Sequence, residues 1–198
     1  ALLQDLRDDL PLVQGRTIDT LFIGGGTPSL FSASAISQLL LGIAALVPLA
    51  PTLEATRAAN PGSAEADKFR AFREAGINRL SLGIQSFDDA QLQALGRVHT
   101  RDQALAAIEF ARAAGFDSVN LDLMHGLPDQ SLDDALYDLQ QAIDCAPPHL
   151  SWYQLTIEPN TAFASKPPTL PEDDTLWDIY EQGHAMLTAR GYQQYEIS

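Results

Sequence analysis

Residues 18–27, Ile18-Asp19-Thr20-Leu21-Phe22-Ile23-Gly24-Gly25-Gly26-Thr27, decide how the rest of the chain is read. A short, β-rich apolar run stops at three glycines. Beyond them Ser32 or Ser34 caps an amphipathic stretch that reaches Val47 and closes at Pro48. The same unit recurs in both directions. Ahead of it, residues 1–13 read as a helix with Leu2, Leu3, Leu6 and Leu10 on one side. Behind it, a weak strand over 53–59 ends at Asn60-Pro61-Gly62, and a helix over 63–75 is followed by Gly76 in the position past a helix end that favours a residue without Cβ. A strand over 79–84 leads to helices over 89–95 and 100–114, the second opening on Thr100-Arg101-Asp102-Gln103, which has capping-box form. Strands over 119–123 and 150–155 alternate with helices over 131–144 and 172–189, and 194–197 reads as a final strand.

Strands that alternate with helices of this length form βαβ units, so the sheet is parallel with helices packed outside it. A doubly wound sheet and a closed or partial (β/α) barrel both satisfy the periodicity. The placement of unusual residues favours the barrel. Gly24-Gly25-Gly26-Thr27, Asn60-Pro61, Gln85, Asp122 with His125, and Glu158-Pro159-Asn160 each follow or end a strand. In a parallel sheet those ends share one rim, where barrel enzymes assemble their sites. No linker or low-complexity stretch divides residues 1–198, which read as one domain, and 166–171 is a proline-rich loop.

The charge balance narrows the function. Twelve Lys and Arg against 26 Asp and Glu leave a net charge of −14. Nucleic-acid binding needs clustered cations to meet phosphates, so that class is set aside. Hydrophobic residues make up 45% of the chain, enough for a packed core, yet no run approaches the ~20 apolar residues of a membrane span. The single cysteine, Cys145, can form no internal disulfide, which fits a reducing, cytoplasmic setting, and one thiol cannot hold an iron–sulfur cluster. Cys145 reads as a packing residue at a helix end. The four histidines show no zinc spacing, so no metal ligand is assigned in this chain.

Several residues carry candidate chemistry, and each has a plainer reading beside it. Three glycines after an apolar strand let a ligand approach the backbone closely; the plainer reading is a tight turn. The run is neither a P-loop, since no Gly-Lys-Ser/Thr follows, nor the dinucleotide fingerprint, since Ser29 stands where the third glycine belongs. Asp122 shares a strand face with Asn120 in an otherwise apolar run, so its carboxylate must meet a ligand or a structural hydrogen bond. Gln85 can read a polar ligand or serve packing. Arg97 can grip a carboxylate bidentately or form an exposed ion pair. His125, beside Gly126-Leu127-Pro128, is a base, a ligand or neither. On these residues alone, Asp122, His125 and Glu158 would allow acid–base chemistry in a barrel enzyme.

Four stretches together narrow the reading further: 24–29 (GGGTPS), 60–62 (NPG), 79–87 (RLSLGIQSF) and 120–128 (NLDLMHGLP). Their sequence and order resemble the radical S-adenosylmethionine (radical SAM) proteins related to oxygen-independent coproporphyrinogen III oxidase. Residues 153–161 (YQLTIEPNT) and 195–198 (YEIS) are most similar to the heme chaperone branch of that group. The resemblance implies a partial (β/α)6, TIM-like barrel. It also implies a 4Fe-4S cluster held by three cysteines in a loop after the first barrel strand, with reductive cleavage of S-adenosylmethionine to a 5′-deoxyadenosyl radical. Those cysteines are not in this sequence, so the resemblance makes the chain an incomplete radical SAM core over 1–198, without barrel strand one, the cluster loop and a C-terminal region.

Carried over by motif, Gly25, Gly26 and Thr27 line the methionine moiety of S-adenosylmethionine, while Gln85, Arg97, Asp122 and the backbone at Thr156 contact the same cofactor. The branch implies heme binding and transfer to heme-accepting proteins, leaves homodimerisation open, and has coproporphyrinogen III oxidase activity as its alternative. One departure stands out: the family commonly has Glu-Ala-Asn-Pro where this chain has Ala58-Ala59-Asn60-Pro61. The alanine removes a hydrogen bond worth roughly 1.5–3 kcal/mol if charged, unless Glu54 or a neighbour substitutes.

Overall fold

The computed structural model describes residues 1–13, 15–25, 31–63 and 66–197. The chain runs α1 (Leu2–Asp9), β1 (Ile18–Ile23), α2 (Ala33–Ala44), β2 (Leu49–Ala59), α3 (Ala66–Glu74), β3 (Arg79–Gln85), α4 (Asp89–Ala94), α5 (Arg101–Ala113), β4 (Ser118–His125), α6 (Leu132–Asp144), β5 (His149–Gln154), α7 (Ala162–Ser165) and α8 (Asp173–Ala189). Five strands are hydrogen-bonded in the order β1-β2-β3-β4-β5, and the pairs β1–β2, β2–β3 and β4–β5 run parallel. A doubly wound sheet reverses its strand order at a switch point. Here the order never reverses, which places the fold in the partial-barrel class of α/β architecture. The chain divides into two compact units, 1–82 with 106–119, and 83–105 with 120–198.

In the first unit β2 is longer than its sequence pattern predicts. Its pairing with β1 jumps from Ile18↔Leu49 to Thr20↔Glu54, so the extra residues, Pro51 among them, form an irregularity that the alternation does not reveal. From there the register is regular to Ile23↔Arg57. Ser32 caps α2 by accepting the Ala35 N–H at 3.2 Å. Phe69 and Phe72 of α3 are buried with Ile77, Leu80 and Leu82, and Phe69 meets Phe116 edge-on at 6.3 Å. Arg57 is fully buried with its guanidinium 3.5 Å from the centroid of the Phe72 ring. Burial lowers its pKa to about 10, which leaves it charged at neutral pH.

In the second unit β4 and β5 pair from Asn120↔His149 to His125↔Gln154. Leu121, Leu123, Leu139, Ala142 and Ile179 form its core. Ser131 and Asp134 close a capping box on α6, and Cys145 stands at that helix's C-cap, where the sequence places it. Thr100 and Gln103 exchange the two bonds of the other capping box, at 3.0 and 3.4 Å. Trp152 on β5 faces α8: a Cβ built on Gly183 would stand 1.9 Å from the Trp152 ring. Residues 194–197 are not a strand. Tyr195 and Ile197 are exposed, leaving no apolar face to bury, and Tyr195 Oη lies 3.2 Å from His149 Nδ1 in a side-chain contact. Among the described residues no helix is long and apolar enough to cross a membrane.

Candidate functional site

The alternation of β4 and β5 separates their two faces. Trp152 marks the face toward α8, so Ser151 and Tyr153 lie on the other, and the register puts Asp122 opposite Ser151. That second face is polar. Asn120, buried to 4% exposure, donates from Nδ2 to Asp122 Oδ1 at 2.8 Å and to Ser151 Oγ at 3.0 Å, and Ser151 Oγ donates to Asn120 Oδ1 at 3.2 Å. Asn120 therefore steadies one carboxylate oxygen of a half-buried Asp122. The Asn120 bond realises the structural reading of Asp122, and a carboxylate, with about four lone-pair sites, can accept more than one hydrogen bond.

Gln85 joins the same face. Its side-chain Oε1 accepts the Tyr153 hydroxyl at 2.8 Å. Burial, with the nearby Asp122 charge second, raises the Tyr153 pKa above its ordinary value, so the phenol keeps its proton. The Gln85 backbone has φ +69°, and Ser86 N–H donates to Ile84 O at 2.9 Å across it. This is the strained form of the γ-turn, a conformation a non-glycine residue holds only when its surroundings enforce it.

Two neighbours enforce it. His99, 4% exposed, places Nε2 3.0 Å from the same Ile84 carbonyl; a carbonyl only accepts, so Nε2 carries the proton. Burial lowers the His99 pKa, its largest influence. On the other side Asp138 of α6, 2% exposed, accepts the Ser86 hydroxyl and, at 2.8 Å, the Phe87 N–H. Burial raises the Asp138 pKa to about 6 despite those two bonds. Sequence reasoning missed Asp138, Ser86 and Tyr153. A signal existed for Asp138: it falls in the buried register of α6 with Ala135, Leu139 and Ala142.

Arg97 lies on the loop that His99 ties to β3. Its side chain is exposed and forms no ion pair among the described residues. Thr156 is exposed two residues past β5. The second unit thus brings Gln85, Asp122 and Tyr153 together on one face. Gly25 belongs to the first unit and follows β1. It has φ +76°, and a Cβ there would meet nothing within 4 Å among the described residues, so the backbone is open to a ligand there. Gly26 and Thr27 lie outside the described residues. Ala58 on β2 pairs with Ser81. Glu54 does not take its place: it stands four residues earlier on β2, about 13 Å by strand rise, and is engaged with Arg79 at 3.9 Å.

His125, at the end of β4, faces the α8 side, 4.4 Å centroid to centroid from Trp152. It is 4% exposed, and burial lowers its pKa to about 4. It therefore stands apart from the polar face that holds Asp122, which argues against the pair acting together as acid and base.

Comparison with known proteins adds a family to this geometry. A profile described as the radical SAM superfamily matches residues 4–140. The chain is 59% identical over 197 residues to the heme chaperone HemW of Escherichia coli, covering 100% of this chain and 52% of that protein. It is 56% identical over 201 residues to the heme chaperone HemW of Haemophilus influenzae, again 100% of this chain and 52% of the relative. Among solved structures, coproporphyrinogen III oxidase (HemN) of Escherichia coli, described as a radical SAM enzyme, superposes with a TM-score of 0.85 at 30% identity, covering 97% of this chain and 45% of that one. The chain thus spans about half the length of the curated relatives it matches.

Proposed function

Because the chain belongs to the radical SAM superfamily, we propose that it forms the S-adenosylmethionine-binding part of a heme chaperone. The observation that carries this reading is the 59% identity to a heme chaperone along the whole chain, against 30% to the oxidase. The residues fit the cofactor's chemistry. Arg97, which forms no ion pair among the described residues, can meet its carboxylate, Asp122 can accept from its hydroxyls, and the strained Gln85 offers an amide donor. Gly25 supplies open backbone for the amino-acid moiety, the motif assigns Gly26 and Thr27 to the same moiety, and the Thr156 backbone completes the set. When bound beside a reduced 4Fe-4S cluster, S-adenosylmethionine supplies a 5′-deoxyadenosyl radical. The one thiol of this chain, at the C-cap of α6, does not fit a cluster, so its ligands belong elsewhere in the protein.

Heme and heme-accepting proteins are the partners this reading assigns, in a cytoplasmic setting. The test uses the full-length, cluster-loaded protein with heme and an apo-hemoprotein acceptor, and in parallel with coproporphyrinogen III, S-adenosylmethionine, a reductant and an electron acceptor. Expected is transfer of heme to the acceptor with no decarboxylated product. Conversion of coproporphyrinogen III to protoporphyrinogen IX with release of 5′-deoxyadenosine would instead assign the oxidase activity.

A further inference from the structure

His99 and Asp138 hold Gln85 in its strained backbone, and further bonds within the turn reinforce them. The strand-to-helix turn at 85–88 is fixed at each point. Asp138 binds Ser86 and Phe87, Ser86 Oγ accepts the Asp88 N–H at 3.0 Å, and Asp88 caps α4 by accepting the Gln91 N–H at 2.8 Å. His99 holds the Ile84 carbonyl. These contacts determine where the Gln85 backbone sits. They leave the side-chain amide free to rotate, and among the described residues only the Tyr153 hydroxyl, from β5 on the same face, fixes that rotation.

We propose that Tyr153 is a positioning residue: by occupying Gln85 Oε1 it turns the Gln85 Nε2 donors toward the S-adenosylmethionine site, so that Gln85 acts on the ligand as a donor. The inference rests on the cofactor reading above. Gln85 has one acceptor oxygen and two N–H donors. With Oε1 engaged, the group presented to a ligand is the donor, which suits a ring nitrogen or a carboxylate or hydroxyl oxygen. The Tyr153 phenol is suited to its part, because its raised pKa keeps it a donor at any physiological pH. A glutamine oriented before the ligand arrives also loses less side-chain freedom on binding.

The test is a double-mutant cycle read as S-adenosylmethionine affinity, by calorimetric titration of the full-length, cluster-loaded protein under anaerobic conditions. Tyr153→Phe keeps the ring and removes only the hydroxyl; it should weaken binding about 3- to 10-fold, the range of one net hydrogen bond. In a Gln85→Ala background the same substitution should change nothing further, because there is no amide left to orient. A merely structural role for Tyr153 would weaken binding equally in both backgrounds. Equal weakening in both, or unchanged affinity in the first, overturns the inference and leaves the cofactor reading standing. Absence of binding by the unsubstituted protein overturns both.

Discussion

Between pH 6 and pH 4, the Asp138→Asn protein should lose about 2 kcal/mol of folding stability relative to its parent. Burial sets the folded-state pKa of Asp138 at about 6, above its ordinary value of 3.8, so the folded state takes up a proton before the unfolded chain does. Its contribution is therefore fully present at low pH and is lost as pH rises through 6. His125 does the reverse. Burial lowers its pKa from 6.5 to about 4, so its contribution is present above pH 6.5 and is lost as pH falls toward 4. Each shift corresponds to about 3 kcal/mol between the two protonation states. Over pH 4–6 the two terms oppose each other, and the parent's profile hides both. Asp138→Asn leaves His125 unopposed, so stability falls steeply on acidification; His125→Gln leaves Asp138 unopposed, so stability rises relative to the parent. Chemical denaturation at a series of pH values reads both, and profiles parallel to the parent's would contradict the burial of these groups.

Gly183→Ala should destabilise the protein by about 1–3 kcal/mol, although glycine-to-alanine inside an ordinary helix stabilises by about 1 kcal/mol. Gly183 sits within α8, and a Cβ there would lie 1.9, 2.3 and 2.9 Å from three atoms of the Trp152 ring. The ring has little room to yield, because it also packs at a 44° tilt against the buried His125. Overpacking therefore outweighs helix propensity. In a Trp152→Leu background the methyl group fits, and the same alanine should turn stabilising. Thermal unfolding of the four proteins reads the change of sign; a stabilising Gly183→Ala in the parent background would mean that α8 does not rest on Trp152.

Local pattern made much of the fold legible. The apolar runs at β1 and β3, Gly76 past the end of α3 and the capping box at Thr100 follow from neighbouring residues, and the structure has each in place. Two of the expected elements differ from the structure. The start of β2 is hidden by an irregularity in its pairing with β1, and residues 194–197 carry strand-forming residue types without a face to bury. The site divides in the same way. Gln85 and Asp122 could be selected because a polar residue ending or interrupting an apolar strand stands out on its own. What holds them could not: Tyr153 meets Gln85 across 68 positions of sequence, and Asp138 meets Ser86 across 52. Such contacts exist only once the strands are in register, which one sequence does not record.

The most direct measurement of the central claim is the affinity of the full-length, cluster-loaded protein for S-adenosylmethionine, before and after Asp122→Ala. Losing hydrogen bonds to a charged carboxylate costs about 1.5–3 kcal/mol, so the account predicts binding by the parent and a roughly 10- to 100-fold weaker affinity in the variant, with the cluster's absorption unchanged. A parent that does not bind S-adenosylmethionine, or an Asp122→Ala protein that binds it as tightly as the parent, would contradict it.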